Sequence, residues 1–316
     1  MEVLWHPNPF SAGKHFDDGV AGCMCLAVAR RVLAQQMAKR RNPHKRVLSD
    51  LLRYLLTLCC RGIADSELSR SALVFSPHPD DESLACGGTI IKKKRAGATI
   101  KLVHMTDGGG SHSHHLISTQ ELRAIRRAES INAARVLDVD HTYFLDFKDG
   151  ALSKNIGPAA ERVLKILRQE RPEEIFVPHF REPMRQAADH VAATQIVMAA
   201  LDSYRKKVTV WEYPVWFWFH WPWVSLRSGC PPIKMRHIAG NTVRSLAGSR
   251  AFLDLSHSLN ISDAIQQKTA AIAEHKSQMT RLIPQSRWTT LADVSHGQFL
   301  NTFYYDHEFF RRSFVG

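Results

Sequence analysis

The sequence predicts an α/β protein, a mostly parallel sheet flanked by helices and preceded by a helical N-terminal extension. Three observations carry this reading. From Ser71 onward short apolar runs alternate with longer stretches of helical period. The first run, Ala72-Leu73-Val74-Phe75, breaks at once into the charged loop Ser76-Pro-His-Pro-Asp-Asp-Glu82. Residues 1–70 show no clear strand, only two helical patterns parted by Arg40-Arg41-Asn42-Pro43.

The strands are expected at Ala72 to Phe75, Thr99 to Met105, Thr142 to Leu145, Glu174 to Pro178 and Val208 to Tyr213. Helical stretches lie between them, near Ser83 to Ala96, Thr119 to Leu137, Pro158 to Arg171 and Ala187 to Tyr204. Such alternation predicts right-handed crossovers and a Rossmann-like arrangement. No GxGxxG follows the first strand, so a dinucleotide is not expected. Two domains result: a basic helical extension over residues 1–70 and a main domain over residues 71–316.

In the extension, Leu48, Leu51, Leu52, Leu55 and Cys59 recur at helical spacing. Eleven Lys and Arg against six Asp and Glu leave it about +5. It is read either as a helix packed on the main domain or as one making peripheral contact with an anionic membrane.

The 316 residues, 44% hydrophobic and 23% charged, suffice for one large core with an appendage. A net charge of +12 favours phosphate-bearing substrates or an anionic surface, or is simply a basic exterior. Nucleic acid is not expected, because no basic patch interleaved with aromatics and no helix-turn-helix or RNP pattern occurs. The six cysteines form no paired framework and no secretory leader is read, which points to the cytoplasm, with the inner face of the membrane as an added station. The apolar runs at Ala21 to Ala29 and Leu51 to Cys60 are too short to span a bilayer.

The charged loop carries the chemistry. It delivers His78, Asp80 and Asp81 to the carboxyl edge of the sheet, where open α/β folds place their ligands. A hydrolytic zinc site takes about three protein ligands and leaves one position open. His78 and one aspartate are placed to supply two, leaving the adjacent aspartate as a base. Asp189-His190, opening the helix after the fourth strand, is the best-placed source of the third. The same two-histidine, one-carboxylate set also suits ferrous iron. A purely structural alternative has the acids capping the following helix.

The string SPHPDDESLACGGT resembles the PHPDDE motif of the PIG-L/LmbE-type zinc-dependent N-deacetylases. Further agreements are His104-Met-Thr-Asp-Gly108, Arg126-Arg-Ala-Glu129, Asp146, Asp149-Gly150 and His275-Lys-Ser-Gln278, so the likeness runs from about Ser71 to Met279. The resemblance implies an LmbE-like fold and a Zn2+ held by His78, Asp81 and His190. It further implies removal of the N-acetyl group from an N-acetylglucosamine-type sugar conjugate, with Asp80 as general base towards the attacking water. A lipid- or nucleotide-linked substrate suits the basic composition. Alternatives are an amide hydrolase acting on a non-sugar or thiol conjugate, and a catalytically weak carbohydrate-binding relative.

The chain departs from the family where His-Pro-Asp-His becomes Ala187-Ala-Asp-His190. Arg185, His179 and His275 are the candidates to replace the missing histidine, His275 for proton delivery and Arg185 for charge stabilisation. His112, His114 and His115 are read as substrate contacts or solvated residues, and Asp107 as a residue that orients a ligand or shapes a turn. The segment from Trp211 to Trp223 holds five of the seven tryptophans. Its alternation is read as a strand forming an acceptor-binding wall, or a dimer surface in a homo-oligomer, against core packing.

Overall fold

The computed structural model describes residues 43–110, 116–182, 188–220, 222–224, 251–284 and 286–316. All five expected strands are present: β2 (Ala72–Ser76), β3 (Ile100–Thr106), β4 (His141–Phe147), β5 (Glu174–Pro178) and β6 (Val208–Tyr213). Among the described residues three others join them: β1 (Arg61–Gly62), β7 (His257–Asn260) and β8 (His307–Val315). The eight strands form one sheet in the order β1-β7-β8-β6-β5-β2-β3-β4. Among the described residues six helices reach ten residues: α1 (Pro43–Cys59), α2 (Asp81–Arg95), α3 (Thr119–Val136), α4 (Ile156–Glu170), α5 (Ala188–Tyr204) and α6 (Ile265–Glu274).

Strands β4, β3, β2, β5 and β6 are parallel, with Ser76 opposite His104 and Val74 opposite Phe176. Both faces of β2 and β5 are buried, so every residue of each strand is inaccessible and the runs read as continuously apolar. The alternation of the pleat divides the core. Val74, Leu102, Phe176 and Trp211 face one layer with Leu84 and Ile90 of α2, while Leu73, Phe75, Val103 and Ile175 face the other with Val163 of α4 and Ile196 of α5. Chain order reverses between β2 and β5, and a crevice at the carboxyl ends of the strands opens at such a reversal.

Strand β8 runs antiparallel to both β6 and β7, pairing Trp211 with Arg312 and Ser258 with Phe309. It extends the sheet to β1, which lies within the predicted N-terminal extension and pairs with β7. The helix of that extension, α1, also packs on the body: Leu56 and Arg53 are buried, and the Arg53 guanidinium lies over the rings of Tyr305, Trp218 and Trp223 at 3.8, 4.9 and 5.3 Å.

One buried carboxylate ties three elements together. Glu308 of β8 accepts from the backbone N–H groups of Gly88 (2.8 Å) and Thr89 (2.7 Å) and from Lys268 Nζ of α6 (2.8 Å). Removing it leaves the buried Lys268 ammonium uncompensated. Glu308→Ala is therefore expected to destabilise the fold by about 3–5 kcal/mol, read as a lower urea midpoint at unchanged slope.

Candidate active site

The loop between β2 and α2 is strained at its centre. Asp80 adopts φ 146°, a region that a non-glycine residue rarely enters, and this bend turns Asp80 and Asp81 towards different partners. The side chain of Asp80 makes no helix-capping bond, so capping does not explain these acids. What holds the bend is Glu82. Its fully buried carboxylate accepts from Ser76 Oγ (2.8 Å), the Asp80 N–H (3.2 Å) and Ser83 Oγ (2.9 Å). Burial works against that charge, but the nearby rings of His104 and His275 and the Ser76 hydroxyl keep Glu82 well below the ordinary carboxylate range.

The bend, with α5, assembles the metal-binding candidates. Asp81 Oδ2 stands 3.3 Å from His78 Nδ1 and 3.3 Å from His190 Nε2, and the three donor groups lie within 4.8 Å of one another. In a tetrahedral zinc site with bonds near 2.0–2.1 Å, adjacent donor atoms sit about 3.3 Å apart. The two spacings from Asp81 match that value, so the donor set suits a small divalent cation. The other nitrogen of His78, Nε2, faces Asp149 (3.3 Å) and Asp189 (3.5 Å). Carboxylates at that position fix the ring's orientation and leave Nδ1 free to bind. They are themselves anchored, Asp189 accepting from the Gly150 and Leu152 N–H groups and Asp149 from the Gly110 N–H.

The electrostatics favour a cation. Burial lowers the proton affinity of His78, yet its bonds to Asp149, Asp189 and Asp81 outweigh that and raise its pKa well above the ordinary value. Three carboxylates thus converge on one imidazole. Burial lowers His190 to about 4, so this ring is neutral near pH 7, and the Nε2 lone pair that a cation would take is engaged by the Trp216 indole N–H. Against burial, His190 and His78 hold Asp81 below its ordinary pKa. Asp80 differs: burial and the adjacent Asp81 raise it to about 7 despite the opposing Arg126 guanidinium. Arg126 Nη2 lies 3.3 Å from Asp80 Oδ2 and donates to Pro79 O at 2.6 Å.

His78, Asp80, Asp81 and His190 are thus brought together as the motif implies. His275 is not brought to the cation donors. Its ring is 1% exposed, with Nε2 3.2 Å from Glu82 and 3.0 Å from Ser83 Oγ, a position suited to bracing the loop. His179 is also buried, its Nδ1 accepting from the Arg181 N–H while its ring meets the edge of Phe217. Arg185, Ala187, His112, His114 and His115 lie outside the described residues. Asp107 shapes a turn, accepting from the Gly109 N–H, and pairs with Arg123.

The expected aromatic strand is a correction. Only Val208–Tyr213 is strand, and Trp216–Phe219 forms a 3-10 turn. Two backbone N–H groups of that turn, of Val215 and Trp216, bond to the buried Glu182 carboxylate, which a ladder partner would otherwise occupy. Phe217, Trp218 and Trp223 are core residues. Trp216 alone of these reaches the site, stacking on Phe299 and donating its indole N–H to His190 Nε2 at 3.2 Å. The sequence assigns no role of their own to Glu82 and Arg126, and gives Trp216 only a share in the aromatic wall. Glu82 and Arg126 lie inside the quoted motifs, but nothing local reports that their side chains converge on one bend.

The PIG-L family, described as GlcNAc-PI de-N-acetylase, matches residues 73–201. The diacetylchitobiose deacetylase of Thermococcus kodakarensis is 30% identical over 121 residues, 38% of this chain and 45% of that enzyme, so the match spans less than half of that relative. A 1D-myo-inositol 2-acetamido-2-deoxy-alpha-D-glucopyranoside deacetylase of Mycobacterium sp. is 25% identical over 244 residues, 68% of this chain and 76% of that one. The structure of N,N'-diacetylchitobiose deacetylase from Pyrococcus horikoshii superposes with a TM-score of 0.55 at 22% identity, covering 86% of this chain and 93% of that chain, and establishes a shared fold.

Two outcomes follow from the bracing groups. His275→Ala is expected to cost about 1–3 kcal/mol in urea denaturation by leaving Glu82 short of a partner, and His275→Gln, whose amide retains a donor, to recover part of it. Burial depresses His179 to about 3, so between pH 6.5 and 3 the unfolded chain binds a proton there that the folded chain does not. Stability should therefore fall as pH drops through that window. In His179→Asn the fall from pH 7 to pH 5 is expected to be shallower.

Proposed function

We propose that this chain is a zinc-dependent hydrolase that removes the N-acetyl group from an N-acetylglucosamine-type sugar conjugate. The reading is carried by one observation: a single Asp81 oxygen equidistant from two imidazole nitrogens, beside a second carboxylate that is kept out of the cluster. Relatives named as deacetylases of acetylated amino sugars support the substrate class. His78, Asp81 and His190 would hold the cation, which when bound supplies Lewis acidity towards water and the amide carbonyl.

The remaining work falls to the chain. With a pKa near 7, the Asp80 carboxylate is matched to taking the proton of the attacking water and returning it to the amine nitrogen as the C–N bond breaks. Arg126 fixes that carboxylate and keeps it from rotating into the cation set. Acetate and the free amine leave. Trp216 borders the same space, where an aromatic face suits stacking on a sugar ring. The net charge of +12 suits a conjugate carrying phosphate, on lipid or nucleotide.

Asp80→Asn is expected to retain a single zinc by elemental analysis while acetate release falls about 10²–10⁴-fold. His190→Ala should lose both metal and turnover. Undiminished turnover in Asp80→Asn would remove the base assignment, and zinc retained in His190→Ala would remove the ligand assignment.

A further inference from the structure

One nitrogen of His190 meets two groups at once. Its Nε2 stands 3.3 Å from Asp81 Oδ2, and the Trp216 indole N–H donates to the same atom at 3.2 Å. An indole nitrogen has a hydrogen to give and no lone pair to receive, so Nε2 accepts as an unprotonated atom and the ring hydrogen lies on Nδ1. The lone pair that would bind a cation is thus already occupied by a donor.

The two imidazoles of the cluster are held in different ways. His78 turns Nδ1 to Asp81 and is gripped through its other nitrogen by Asp149 and Asp189, which is how a metal-binding histidine is ordinarily oriented. The other nitrogen of His190 has no such grip. Among the described residues its Nδ1 is buried without a hydrogen-bond partner, so the indole orients this ring through the nitrogen that a cation would use.

The indole is placed to yield. The Trp216 backbone N–H is fixed on Glu182 Oε2 at 2.9 Å, but the ring is only half-buried and lies nearly parallel to Phe299, with centroids 5.1 Å apart and planes 8° from one another. A parallel stack keeps its contact when one ring slides in its own plane. The turn stays anchored while the N–H withdraws.

We propose that Trp216 sets the cation affinity of this site, its indole N–H and the metal ion being alternative occupants of one His190 lone pair. The inference rests on the ligand set His78, Asp81 and His190 and concerns binding, not turnover. Without a cation the indole holds His190 in the tautomer that a ligand needs; with one, the indole gives up its bond. Cation binding is therefore weaker than the three donors alone would make it.

The test titrates the full-length, chelator-stripped chain with Zn2+ against a chromophoric competitor while tryptophan emission is followed. Zinc is a d10 ion without redox chemistry, so a change in emission reports the indole and not the metal. In the parent the emission is expected to shift in step with binding. Trp216→Phe, which keeps a ring against Phe299 but has no N–H, should bind zinc about two- to tenfold more tightly and lose the emission change. A tighter site is the opposite of what mere damage to packing produces. Zinc bound by Trp216→Phe no more tightly than by the parent would overturn the proposal and leave the ligand set standing. So would saturation of the parent with no change in emission, a measurement that needs no variant to fold. Absence of zinc binding in the parent would overturn the proposal and the ligand set together, whereas the exchange seen without acetate release would uphold the proposal and remove the hydrolase reading.

Discussion

The buried carboxylate of Glu82 is the constraint on which the site depends. Asp80 sits at φ 146°, a conformation costing about 1–3 kcal/mol for a residue with a side chain. Glu82 offsets that cost by accepting from Ser76, Ser83 and the Asp80 N–H itself, with His275 behind it. The loop therefore has one conformation before any ligand arrives. The same interaction joins the start of α2 to residues nearly two hundred positions later in the chain, so the late segment is part of the site's support.

That bend separates two adjacent acids that are chemically alike. Asp81 is drawn between His78 and His190 and held below its ordinary pKa, as a cation ligand requires. Asp80, also buried, is turned against one guanidinium instead of two imidazoles and is raised to about 7. Pushing the pKa values of two carboxylates apart in this way would let one short loop supply both a ligand and a base, as proposed above. Asp149 and Asp189 add a further layer, since their grip on His78 Nε2 decides which of its nitrogens faces the cluster.

Much of the parallel sheet was legible because strands buried on both faces leave apolar runs, and the helices between them keep a strong period. The edge built from β7, β8 and β1 was not. These strands are short or half-exposed and carry polar residues such as His257, Asn260, Arg311 and Arg312, so their pairing depends on partners far along the chain. The aromatic segment misled for a related reason. Alternating Trp and Phe read as a strand, but the Glu182 carboxylate captures the backbone N–H groups of Val215 and Trp216 and curls it into a turn.

The amino-acid sequence by itself determined the αβ alternation and the PHPDDE loop, because these rest on residue type and local spacing, and its family resemblance put forward His78, Asp81 and His190 as a candidate set. Only the tertiary structure decided what each side chain does. It placed the His275 ring against Glu82, set Arg126 against Asp80 and brought the Trp216 indole to His190. The physical reason is that direction and burial are properties of packing. A residue's chemistry is written locally, but its pKa, partners and exposure are fixed by groups that only the folded chain brings within a few ångströms.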